Sequence, residues 1–171
     1  RDDAFRGMVN RMLGEAYRLS GRSRQAIAAL KAGIAFSERY DNPAVHATCA
    51  RALGDTEHQL GNYVAAEAAW SEAVVKGHLG AIPEEEIPAL DSLRALYIRQ
   101  GRFEEALSIT GKWLILRDSM ARMDATKDLM RSEFDAVQLA DSLGLALRTQ
   151  QQSIRVEQRI GKERTRRNMA L

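Results

Sequence analysis

The chain has 171 residues, 45% of them hydrophobic and 28% charged, with a formal net charge of +2. That balance excludes an intrinsically disordered chain and a uniformly basic nucleic-acid binder. A single cysteine, Cys49, excludes an internal disulfide, and no apolar run reaches the length of a membrane span.

Alanine, leucine, arginine, glutamate and glutamine are prominent, β-branched and aromatic residues are sparse, and only three prolines occur, all of which favours helix. Taken along the chain, the pattern predicts helices at about 3–20, 23–39, 43–60, 62–77, 83–100 and 102–116, then a long helical segment at roughly 119–165. Two starts are chemically explicit. Asn42-Pro43 reads as an N-cap followed by proline at the first helical position. Pro83-Glu84-Glu85-Glu86 places carboxylates in a first turn, where the helix dipole favours them.

The first six predicted helices repeat as pairs at a period of 40 residues. Gly21, Gly61 and Gly101 hold one column, Leu13, Leu53 and Leu93 a second, and Ala26, Ala66 and Ala106 a third. Pro43 and Pro83 also match. Gly14 and Gly54 match with Arg94 in the third copy; Tyr17 and Tyr97 match with Glu57 between them. Each column has a physical task. The glycine of Leu-Gly lets a second helix approach closely, and Gly21, Gly61 and Gly101 permit the left-handed conformation that ends a helix. Ala26, Ala66 and Ala106 mark the close approach on the second helix, followed four residues later by Leu30 and Trp70, with Thr110 in the third copy.

The run Leu-Gly-x-x-Tyr-x-x-x-Gly-x-x-x-x-Ala resembles the tetratricopeptide repeat, most closely in the copy from Leu53-Gly54 through Gly61, Tyr63, Ala66, Trp70 and Ala73. The resemblance covers about residues 7–116, and the 40-residue unit is longer than the usual ~34. It implies an all-α fold: an α-solenoid, a right-handed superhelix of helix hairpins, closed by a long C-terminal capping helix. The expected division is 1–116 for three helix pairs, 117–147 for the capping helix, and 148–171 for a basic polar extension. Met130, Phe134, Val137, Ala140, Leu143 and Leu147 form the stripe expected to cap the last pair.

A further resemblance rests on Leu114-x-x-Arg117-Asp118-Ser119-Met120, then Phe134-Asp135, then a Gln/Arg/Glu-rich helix ending Arg166-Arg167-Asn168. This looks like a bacterial arrangement in which such an array precedes a polar helix, a membrane span and a histidine kinase, nucleotide cyclase or helix-turn-helix output. A chain opening at Arg1 is expected to be a fragment of such a protein. Residues 148–171 hold seven Lys or Arg against two Glu, a net +5, which leaves −3 on the rest. The basic end reads as membrane-flanking, through a segment downstream, ahead of nucleic-acid binding, because it lacks interleaved aromatics. The positive-inside tendency would put this end in the cytoplasm, whereas the resembling proteins carry their arrays in the periplasm.

The inward positions of the repeat frame supply a candidate partner groove: Arg11, Glu15 and Arg18, then Arg51, Asp55 and His58, then Asp91 and Arg99. A mixed-charge groove with several arginines suits a peptide carboxylate or acidic side chains. The Lys/Asn carboxylate clamp of some tetratricopeptide modules is not expected, since its positions hold Arg11 and Glu15. His46 and Cys49 lie three apart but lack a second ligand pair, so a buried cysteine, surface histidines and no metal are expected. No catalytic or cofactor-binding motif is present. The expected function is a protein- or peptide-binding scaffold, the sensory module of a bacterial signal-transduction protein; the alternative is part of a soluble peptide-responsive transcription regulator. A homodimer through the C-terminal helix is also expected to be feasible, although stepping by seven from Ala140 gives Leu147, Ile154 and then Gly161, an incomplete heptad seam.

Overall fold

The computed structural model describes the backbone of residues 2–169 and the side chains of residues 5–162. Six helices and no strand occur among the described residues: α1 Asp2–Leu19, α2 Ser23–Arg39, α3 Pro43–Gln59, α4 Tyr63–Leu79, α5 Pro83–Arg99 and α6 Phe103–Met169.

Helices α2 to α5 each have 17 residues, and successive starts fall 20 residues apart, so the backbone repeats at half the sequence period. Every turn is built alike. The residues with positive φ are Gly21, Asp41, Gly61, Ala81 and Gly101, at 74°, 48°, 79°, 50° and 74°. After each, an N–H reaches five residues back: Arg22 to the Tyr17 carbonyl, Asn42 to Ser37, Asn62 to Glu57, Ile82 to Gly77 and Arg102 to Tyr97, all at 2.8–2.9 Å. This is the Schellman termination. Glycine supplies it at three turns. At the other two the residue before a proline is driven out of the helical region, and Pro43 and Pro83 forbid helix continuation. Asn42 also caps α3, its Oδ1 accepting from the Val45 N–H at 3.2 Å.

That rule explains a departure from the predicted helices. A sixth turn on the same spacing would centre on Ala121, but the chain there reads Ala121-Arg122-Met123, with no glycine and no proline. The helix begun at Phe103 therefore runs on to Met169, and the expected break between 116 and 119 does not occur. The chain divides into two compact units at this point, Arg1–Ala121 and Arg122–Leu171.

In the first unit consecutive helices pack from α1 to α5, and α3 also touches α1 and α5. The core is rich in small residues: Ala50, Ala66, Ala73, Ala89 and Ala106 gather with Trp70, Leu93, Leu96 and Tyr97, and Leu30, Val45, Cys49 and Leu53 form a second cluster. Close approach is what the glycines permit. A Cβ on Gly14 would lie 2.5 Å from Leu30, and one on Gly54 2.4 Å from Trp70. In the third copy the sizes exchange: Arg94 stands where glycine would be, and Thr110 where the bulky residue would be. The Arg94 guanidinium lies over the Trp113 ring at 5.3 Å.

The Tyr17/Glu57/Tyr97 column has a similar logic. Five residues on stand Arg22, Asn62 and Arg102. Arg22 lies over Tyr17 at 5.9 Å and Arg102 over Tyr97 at 4.2 Å. In the middle copy the Asn62 amide donates to the Glu57 carboxylate at 2.7 Å. The irregular glutamate is thus one half of a matched exchange. The leucine column shows what a preceding helix does: Leu53 and Leu93, behind α2 and α4, are 8% and 2% exposed, whereas Leu13 on α1 is 43% exposed.

In the second unit Met130, Phe134, Val137, Leu143 and Leu147, expected as a covered stripe, are all exposed, as is every described side chain from residue 122 to 162. No described helix is long and apolar enough to cross a membrane. The basic residues beyond Lys162 lie outside the described side chains.

Candidate partner-binding face

Helices α1, α3 and α5 share one face of the first unit, and its floor is fixed by ion pairs. The Arg51 guanidinium on α3 donates to Asp55 Oδ2 at 2.9 Å and to Glu85 on α5 at 2.5 Å. Asp55 accepts a second bond at Oδ1 from the Trp70 indole N–H, at 2.9 Å. Both of its oxygens are therefore committed. Arg18 makes a two-pronged pair with Glu15, at 2.6 and 3.0 Å. The Arg18 hydrogen bond is the main cause that holds the Glu15 carboxyl below its usual range. Arg94 also donates two bonds to Asp91, but both go to a single oxygen, Oδ1.

Above that floor is a pocket of about 340 Å³ lined by Arg18, Asp55, His58, Asp91 and Arg99, with Trp70 at its back. Five of the eight predicted groove residues thus meet at one place. The His58 ring sits 5.4 Å from both Tyr63 and Trp70, so its orientation is set by aromatic neighbours. Arg99 is exposed and has no ion pair among the described residues. It is the arginine of this pocket that is not committed to an ion pair among the described residues. Arg11, Glu15 and Arg51 do not line the pocket; Glu15 and Arg51 act through their ion pairs, which hold Arg18 and Asp55 in place.

Sequence reasoning missed two parts of this arrangement. Glu85, read as one of three dipole-favoured carboxylates, bridges to Arg51, 34 residues earlier. Trp70, read only as a core residue, also donates to Asp55. The column register could have revealed the second, because Trp70 faces Gly54, next to Asp55.

A second polar network joins α4, α5 and α6. Tyr97 Oη donates to Glu67 at 3.0 Å, and Arg102 donates to Glu67 at 2.8 Å and Glu105 at 2.9 Å. The Arg102 hydrogen bond, ahead of the opposing effect of burial, keeps the Glu67 carboxyl below its ordinary value. This network ties helices together and does not line the pocket.

The histidines and the cysteine also find definite places. Cys49 is fully buried, and burial pushes its thiol up to about 12, so it is not a ready nucleophile at neutral pH. His46, expected on the helix surface, is instead buried, 1% exposed, with its ring Nε2 2.7 Å from Glu72 Oε1. It faces α4 because the small residues around α3 bring that helix close. Compared with known proteins, the chain matches no protein-family model and no curated protein sequence.

Proposed function

We propose that the first unit is a helical-repeat scaffold of tetratricopeptide type, an α-solenoid that binds a protein or peptide on the face shared by α1, α3 and α5. The observation that carries this reading is the pocket lined by Arg18, Asp55, His58, Asp91 and Arg99. The 20-residue helix spacing and the contacts of α3 with both α1 and α5 support it. An array of this kind offers an extended surface rather than a reaction centre. The floor is pre-organised, because Asp55, Glu15 and Asp91 are each already held by an arginine. A partner would not meet the cost of ordering them, which favours affinity. Arg99 supplies the free charge, so the preferred partner carries a carboxylate, an acidic side chain or a chain terminus, beside an apolar group for the His58 and Trp70 surfaces.

By the resemblance in residues 114–171, this scaffold serves as the sensory or regulatory part of a bacterial membrane-bound signal transducer. The helix beyond Ala121 is the connector to output, and its exposed apolar residues support pairing with a second copy. Binding on the face would act by biasing the conformation or pairing of that helix.

The test is selection of peptides on the full chain from a display library with free C-termini. The expected outcome is enrichment of acidic sequences that Arg99→Glu abolishes. Enrichment of basic sequences, or enrichment that Arg99→Glu leaves intact, would remove the proposal.

A further inference from the structure

Three potential ligands from three different helices converge away from the partner face. Glu38 stands in the last turn of α2, His46 in the first turn of α3, and Glu72 in the middle of α4. Their ligating atoms all lie within 4.8 Å of one another. His46 is buried with its Nε2 turned to Glu72, and on the other side Glu38 and His46 line part of a cavity of about 590 Å³.

The repeat itself supplies a comparison. Forty residues on, the same three positions hold His78, Glu86 and Lys112. There the set includes a lysine, and His78 Nδ1 lies 3.7 Å from Glu86. One carboxylate and one ammonium balance. In the earlier set two carboxylates meet one imidazole. Neither Glu38 nor Glu72 forms an ion pair with a Lys or Arg among the described residues. Lys76 lines the same cavity without pairing to either. The three earlier positions therefore hold no Lys or Arg of their own to match Lys112 in the later set.

We propose that Glu38, His46 and Glu72 bind a divalent transition-metal ion of the zinc class. One imidazole nitrogen and two carboxylate oxygens are donors that Zn²⁺ accepts, and water completes four-coordination. The imidazole argues against Mg²⁺ and Ca²⁺, which take oxygen ligands. The buried ring is already aimed, so little ordering is needed on the histidine side. Such an ion would clip α2, α3 and α4 together and so join two successive repeats. Cys49 takes no part: its thiol lies against Gly33, and the convergence point is reached by neither.

The experiment is calorimetric titration of the full, tag-free chain with ZnCl₂ in chelator-free buffer, with thermal unfolding in parallel. One equivalent should bind and raise the unfolding midpoint, and a chelator should reverse both. Replacing Zn²⁺ by Co²⁺ should give the visible absorption of a four-coordinate site. Because His46 is buried and its replacement could unfold the chain, the decisive variants are Glu38→Gln and Glu72→Gln, which keep side-chain size. Each should weaken binding by about tenfold or more, on the scale on which perturbing a metal's ligand environment acts, with the helical circular dichroism unchanged. His78→Ala, in the other set, should bind like the parent. Absence of binding would overturn the proposal, and so would binding that both glutamine variants retain at full affinity or that His78→Ala loses.

Discussion

The two units are written in similar amino acids and behave differently. Up to Ala121, alanine and glycine let helices approach closely, and the large residues Leu30, Trp70, Leu93 and Leu96 are buried between them. Beyond it, methionine, phenylalanine, valine and leucine occur at helical spacing and all are exposed. The difference lies in the turns. Helix α3 packs on α2 because a left-handed residue and a proline reverse the chain at 41–43; nothing at 121–123 does so. Hydrophobic periodicity says that a helix has an apolar face. Only the punctuation says whether the chain itself folds back to cover it.

The largest effect is expected from Trp70→Ala. The ring fills the space against Gly54 and bonds Asp55, so about 3–5 kcal/mol of stability should be lost in denaturant unfolding. Gly54→Ala attacks the same contact from the other side, with a Cβ 2.4 Å from the indole, and should cost roughly 1–3 kcal/mol. If Gly54→Ala is neutral, the close approach that defines the first unit is not obligatory.

Met123→Pro puts proline where the first unit puts it after Asp41 and Ala81. It should terminate α6 near residue 119, seen as a loss of circular dichroism. The unfolding midpoint of the first unit should not move, because the helix beyond Ala121 buries no described side chain. A parallel drop in that midpoint would contradict the comparison.

The turns can be tested individually. Ala81 carries φ of 50°, which a Cβ disfavours, so Ala81→Gly should stabilise by about 1 kcal/mol; Gly61→Ala, at 79°, should destabilise by about as much. Acid should act through the ion pairs. Glu15 and Glu67 have carboxyl pKa values below 4.5 in the folded chain. Their contribution is present above pH 4.5 and is lost as pH falls below it, towards the folded-state values. A stability profile that is flat from pH 5 to 3 would count against these pairs. The smallest effect is expected from Phe134→Ser: within about 0.5 kcal/mol for the first unit, since the ring is exposed. The same change should weaken any self-association measured by light scattering.

How much of this was readable in the residues follows from the same contrast. The 40-residue columns were legible because Gly21, Gly61 and Gly101, and Ala26, Ala66 and Ala106, each meet a demand that few other residues meet. The helix starts about 20 residues apart were legible too, two of them from Pro43 and Pro83, but the left-handed residues at Asp41 and Ala81 were not, because no glycine marks those turns. The continuous α6 was missed because an absent stop signal leaves no mark. Of the candidate face, the eight positions came from the frame of the repeat that the chain resembles, and five of them line one pocket. Glu85 and the burial of His46 depend on which helices lie side by side, information that spacing within one helix does not carry.

Hydrogen exchange on the full chain, with and without the acidic peptide selected by display, tests the binding reading most directly. Slowed exchange in α1, α3 and α5 around Arg18, Asp55, His58, Asp91 and Arg99 is the expected result. Slowing confined to α2 and α4, or to residues 122–162, with that face unchanged, would contradict it.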